Sequence, residues 1–187
     1  MLKCLAKTEK GFTLMELLIA VAIVAVLAGV GIPLYMGLQS RAKAAEATAN
    51  LDGIGLSQEA YKLTNGVYID CYASPQAVTA VTQNAVAWSA VTDPVTGETG
   101  FDLIGFDTNK PVRFSYAVEA AADGLSYDAG AFGDTDGDGN FVLYISSNAE
   151  GPRVVTAADT AAVTALQSAT AFDDTAAAFI LVTATTD

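Results

Sequence analysis

Lys10-Gly11-Phe12-Thr13-Leu14-Met15-Glu16 runs directly into Leu17–Leu34, eighteen residues without a charged or hydrogen-bonding side chain. Counting on to Ser40 gives 24 residues without a charge. At about 1.5 Å per residue, a helix of that length spans roughly 36 Å, more than a hydrocarbon core of about 30 Å. The run is Ala, Val, Ile and Leu, with Gly29 and Gly31 just before Pro33, and it predicts a helix able to cross a bilayer. Lys3, Lys7 and Lys10 precede it against Glu9 alone, a bias that keeps the first residues cytoplasmic and sends the C-terminal bulk across. Arg41 and Lys43 on the far side weaken that bias slightly. A cleaved secretory signal is the alternative, since Ala28-Gly29-Val30-Gly31 offers small residues within the apolar run.

Glu16 is the residue that run has to explain. A carboxylate inside a bilayer costs about 2.5–3.5 kcal/mol on insertion scales. It is either an acid tolerated at the interface near a helix N-terminus or a charge that awaits a buried partner.

The order basic residue, Gly, Phe, Thr, Leu, any residue, Glu, ahead of some twenty apolar residues, resembles the type IV pilin family and its class III (prepilin) signal sequences. The resemblance covers Lys10 to Tyr68 and includes Tyr61, Asn65, Gly66 and Tyr68 at the junction between helix and head. It implies an α+β fold: a long N-terminal helix, transmembrane in its first half, packed on a C-terminal antiparallel sheet. It implies cleavage between Gly11 and Phe12 by a prepilin peptidase that also methylates the new Phe12 amine. Gly11 lets a protease approach the backbone closely. It further implies homopolymer assembly through Phe12, Glu16 and Pro33, with Glu16 pairing the Phe12 amine of a neighbouring copy. Such a pair sets register more than net stability, because both charges are desolvated. The divisions expected are a leader at 1–11, a membrane and filament-core helix at 12–35, an amphipathic continuation at 36–65 and a head at 66–187. The precursor is expected in the inner membrane, with lipid and the pilus assembly machinery as partners, and the product in an extracellular filament.

Past the apolar run, Tyr35, Leu38, Ala42, Ala45, Ala49, Leu56, Ala60 and Leu63 recur at helical spacing. The helix therefore continues, with an alanine stripe suited to close helix–helix approach. Pro33 invites a kink and Gly53 and Gly55 a bend. Asn65-Gly66 supplies the stop. Ser74-Pro75 is read as the start of a short helix reaching about Ala90, and Asp93-Pro94 and Thr96-Gly97 as turns. Val112–Ala120, Leu125–Gly133 and Asn140–Ser146 alternate as antiparallel strands, with Phe114, Tyr116 and Val118 on one face and Phe141, Leu143 and Ile145 on one face. Phe179–Thr183 is a candidate last strand, and Thr156–Ala178 is too rich in Ala and Thr to assign.

The 187 residues hold 9 Lys+Arg against 21 Asp+Glu, a formal net charge of −12, and no histidine. The missing histidine removes His-based triads and His-ligated zinc, and no nucleophile elbow or phosphate loop is present, so no enzymatic role is expected. The acidic balance argues against nucleic-acid binding. Cys4 falls in the leader, which leaves Cys71 without an intramolecular partner, unlike the many pilins that staple a C-terminal loop; it reads as a buried small hydrophobe. Asp134, Asp136, Asp138 and Gly139 fit the first half of a calcium loop, but the position for its bidentate Glu is Ile145. Asp128 or Glu150 would have to complete a different site. The competing reading is a hydrophilic hairpin turn. No cofactor is expected other than this possible calcium. The function expected is a structural pilus subunit, with a type II secretion pseudopilin or a bitopic calcium-binding head as alternatives.

Overall fold

The computed structural model describes residues 11–75, 84–92, 97, 99–134, 142–156 and 159. The chain divides into two compact units, residues 1–39 and 40–187. The first, as far as it is described, is helical from Leu14 onward. The helix α1 runs Leu14–Asn65, 52 residues, and continues through Pro33 without interruption. It holds a stretch long and apolar enough to cross a membrane. Leu17, Val24 and Leu34 are all more than half exposed. Residues that are apolar on every side of a helix find no core within their own unit; their solvent has to be something else.

In the second unit the last turns of α1 lie on a five-stranded antiparallel sheet. Its strands are β1 Cys71–Ser74, β2 Ser115–Ala120, β3 Tyr127–Gly133, β4 Val142–Ser147 and β5 Arg153–Val154, in that spatial order. A four-residue helix, α2 Gly100–Leu103, sits beside β1. Every strand pairs with its neighbour in sequence, although the β1–β2 link is long, covers residues 75–114 and includes α2. The main registers are Tyr116↔Ala131 between β2 and β3 and Ala131↔Tyr144 between β3 and β4. Alternation puts Phe114, Tyr116 and Val118 into one core with Ala129, Ala131 and Tyr144. That core closes on Ala47, Leu51 and Ile54 of α1. Trp88 stacks edge-on against Phe101 and Phe106, with ring centroids 5.2 Å and 5.5 Å away.

Three expectations change. The Ser74–Ala90 helix is not present where it is described: Ser74 ends β1, Val86 bridges Val112, and none of residues 84–90 is helical. The Ser74 hydroxyl accepts the Val91 N–H at 2.9 Å, so the capping residue caps a loop rather than a helix. Residues 76–83, with Asp93, Pro94 and Thr96, lie outside the described residues, as do Phe141 and the Phe179–Thr183 strand. Second, α1 does not stop helical bonding at Gly53 or Gly55. These glycines make room: a Cβ would come 3.1 Å from the Phe106 ring at Gly53 and 2.9 Å from the Tyr127 hydroxyl at Gly55. Third, β1 and β5 are too short to have shown an alternating pattern, and neither they nor α2 was foreseen. The Asn65-Gly66 stop holds, with Gly66 in the left-handed region at φ 85° and its N–H bonded to the Lys62 carbonyl at 2.7 Å.

Candidate assembly segment

Gly11, Phe12 and Thr13 precede α1, and Phe12 is 88% exposed. A Cβ at Gly11 would touch nothing. Among the described residues, nothing crowds Gly11 and Phe12 stands exposed.

Thr13 is the N-cap. Its carbonyl accepts the Leu17 N–H at 3.2 Å and its hydroxyl accepts the Glu16 N–H at 3.2 Å. The Glu16 carboxylate reaches back and accepts both the Thr13 N–H at 2.9 Å and the Thr13 O–H at 2.8 Å. This is a capping box, Thr-x-x-Glu, which satisfies donors that the first turn of any helix leaves open. Of the two expectations for Glu16, a helix N-terminal acid or a charge awaiting a buried partner, neither names Thr13, yet the structure shows the carboxylate already occupied by it within its own chain. Thr13 three residues before Glu16 was the signal that would have revealed it. Pro33 lies inside α1, and Cβ atoms on Gly29, Gly31 and Gly37 would meet nothing, so this surface is open to close approach by another body.

The second half of α1 carries two apolar faces. Ala47, Leu51, Ile54 and Gln58 are fully buried against the head. Leu38, Leu56 and Leu63 of the spacing read from sequence are 62%, 74% and 89% exposed, and Ala42, Ala45, Ala49 and Ala60 are exposed with them. At about 100° per residue these sets lie on opposite sides of the helix. The residues that hold the head were thus not the ones picked out by spacing; the alanine stripe is real, and it faces outward.

Polar contacts fix the inner face. Glu46 accepts the Arg113 N–H at 2.7 Å and pairs the guanidinium at 2.9 Å. Asn50 donates to the Tyr116 hydroxyl at 2.8 Å. Gln58 donates to the Ile69 carbonyl at 2.8 Å and accepts the Ile69 N–H at 3.3 Å. At the junction Tyr68 donates to Glu59 at 2.5 Å, and Lys62 lies 4.0 Å over the Tyr68 ring while donating to the Leu125 carbonyl at 3.2 Å. Burial, then the Glu59 carboxylate, pushes the Tyr68 phenol up to about 12. Cys71 is a free, buried cysteine whose thiol burial pushes far up, which makes it the inert core residue expected.

The acidic turn is only partly in view. Asp134 follows β3 and is buried, while Asp136 and Asp138 lie outside the described residues. Asp128 and Glu150, the other candidates for this site, lie away from Asp134. Asp128 pairs with Ser147 at the opposite end of β3, six residues and roughly 20 Å from Asp134. Glu150 belongs to that same end and pairs with Arg153 at 2.8 Å.

Comparison with known proteins bears on the N-terminal third. The family described as the prokaryotic N-terminal methylation motif matches residues 6–32. The type IV major pilin of Myxococcus xanthus is 39% identical over 62 residues, 33% of this chain and 28% of that protein. The type IV wide pilus major component of Thermus thermophilus is 44% identical over 62 residues, 33% of this chain and 47% of that protein. A type IV major pilin of Neisseria gonorrhoeae is 40% identical over 60 residues, 32% of this chain and 36% of that protein. The chain thus spans between about a quarter and a half of the length of these relatives.

Proposed function

We infer, from the premise that this chain belongs through its N-terminal segment to the type IV pilin and prepilin family, that it is the structural subunit of a type IV pilus. The observation that carries this reading is α1 itself. A helix apolar on all sides over residues 17–38 continues into one whose inner face holds a head and whose outer face stays apolar and bare. A plain membrane anchor has no use for Leu56 and Leu63 on a face beyond the span.

In this reading a prepilin peptidase cuts between Gly11 and Phe12 and methylates the Phe12 amine, leaving the apolar segment in place. The precursor is held in the inner membrane by residues 14–39. An assembly machine then withdraws it from lipid into a homopolymer, where the bare faces of α1 find copies of themselves and the heads form the exterior. Glu16 exchanges its Thr13 donors for the Phe12 amine of a neighbour. Both are charge-assisted hydrogen bonds to one carboxylate, so the exchange sets register at little net cost. The chain has a structural role rather than a catalytic one. The relatives named as major pilins support a pilus over a secretion pseudopilus or a bitopic anchored head.

The test is electron microscopy of fibres sheared from cells, with mass spectrometry of the subunit N-terminus. Filaments whose subunit begins at N-methylated Phe12 are the expected result. A mature polypeptide that still carries residues 1–11, or one found only as a membrane monomer, overturns the reading.

A further inference from the structure

The sheet places three carboxylates side by side. Glu119 on β2 stands directly opposite Asp128 on β3. On the other side, Cys71 pairs with Val118, so Asp70 arrives next to Glu119 by the same antiparallel register. Asp70 is not free to swing away, because its Oδ1 accepts the Ala120 N–H at 2.6 Å. All this lies on the face turned from α1, since Tyr116 and Val118, the alternate residues of β2, point into the core with Leu51 and Ile54. Like charges directly opposite on neighbouring strands destabilise a sheet.

Among the described charges only Arg153 eases the row, at Asp128, and none pairs with Glu119. β4 offers Asp128 the neutral Ser147. β5 offers Arg153, but that guanidinium is engaged by Asp159 at 2.6 and 2.7 Å and by Glu150 at 2.8 Å. On α1, Lys62 is committed to the Leu125 carbonyl and the Tyr68 ring. In the β2–β3 turn, Asp123 caps the Leu125 N–H. Among the described residues the Glu119 side chain makes no ion pair and no hydrogen bond.

We propose that the Asp70–Glu119–Asp128 row is a proton switch that tightens the head in mildly acidic surroundings and loosens it in alkaline ones. It rests on this row alone and stands whether or not the chain forms a pilus. Partial burial, then Asp70, pushes the Glu119 carboxyl up to about 7, and burial pushes Asp128 up as well, against the pull of Arg153. The sign follows from linkage. A carboxyl whose pKa is higher folded than unfolded binds its proton more tightly in the folded state. The folded head is therefore favoured below the ordinary carboxylate value near 4.5 and loses that advantage as pH rises to about 7. This is the reverse of a salt-bridged acid. The chain has no histidine, so no unperturbed side chain titrates between about pH 5 and 8 to obscure it.

The experiment uses the full chain in detergent micelles, with Trp88, the single tryptophan, half-buried against the head core, as the reporter. The wild-type unfolding midpoint is expected to fall by roughly 3–6 °C between about pH 5 and 8. Glu119→Gln is expected to match wild type at the acid end, exceed it at the alkaline end, and lose at least about half of the slope. Carbon-13 carboxyl NMR of wild type, which needs no variant to fold, is expected to show Glu119 titrating between about pH 6 and 8. A Glu119 midpoint below about pH 5, or a wild-type slope that Glu119→Gln leaves intact, overturns the proposal.

Discussion

Residues 14–39 and 40–65 belong to one helix, yet the first is almost wholly apolar while the second mixes Ala, Leu, Ile and Gly with polar and charged residues, and they meet different surroundings. In the first stretch no face is buried; in the second, one face is sealed against the sheet and the opposite one is bare. Apolarity on every side says that the environment must come from outside the chain, from lipid or from other subunits. Apolarity on two opposed sides says that one partner is internal and one is not. Leu51 and Leu56 put the difference in a single residue type: the first is fully buried and the second is 74% exposed.

The largest effect expected from breaking this division is at Glu16, in the half with no internal partner. Glu16→Val removes the carboxylate from the capping box and from any neighbour's amine. Membrane insertion and cleavage at Phe12 should persist, while the yield of sheared filaments should fall by at least about tenfold, the loss that 1.4 kcal/mol per contact produces. Normal filament yield would separate Glu16 from assembly. In the half with an internal partner, Leu51→Ala should act on the fold instead. It opens a cavity among Ala47, Ile54 and Tyr116, and a cost of about 2–5 kcal/mol is expected from thermal or denaturant unfolding followed by Trp88 fluorescence. Gly100→Ala comes next. A Cβ there would stand far inside contact distance of the Asp70 carbonyl, and 2.9 Å from the Cys71 Cα. Backbone cannot give way as a side-chain tip can, so a loss of about 1–3 kcal/mol is expected in the same melts. Wild-type stability in that variant would mean that α2 does not hold β1.

How much of this was legible in the sequence follows from how far each cause reaches along the chain. The membrane-length helix, its stop at Asn65-Gly66 and the three alternating strands are written in local pattern, and the structure returns each within a few residues. The face that binds the head was not legible. Ala47, Leu51, Ile54 and Gln58 include a polar residue and compete with a second, equally regular apolar stripe. Only the sheet decides which stripe is inside. The capping box was legible from Thr13 and Glu16, but attention to Glu16 as a charge concealed its ordinary work as a helix starter. The three-carboxylate row required register across three strands, and no local pattern carries that. Ser74-Pro75 misled for a related reason: a good capping residue caps whichever backbone arrives, here the N–H of Val91.

The smallest expected change sharpens the comparison most. Leu56→Ala removes as many atoms as Leu51→Ala, five residues along the same helix. If the outer stripe has no partner within its own chain, nothing is uncovered by the truncation. The measured stability should stay within about 0.5 kcal/mol of wild type, helped by the slightly better helix propensity of alanine. A loss approaching that of Leu51→Ala would mean that the head reaches around α1 to cover both faces, and the outer stripe would no longer be available to another subunit. Retained stability together with filaments that break more readily under shear would assign Leu56 to the contact between copies. The pair of leucines thus tests whether the two faces of one helix segment answer to two different partners.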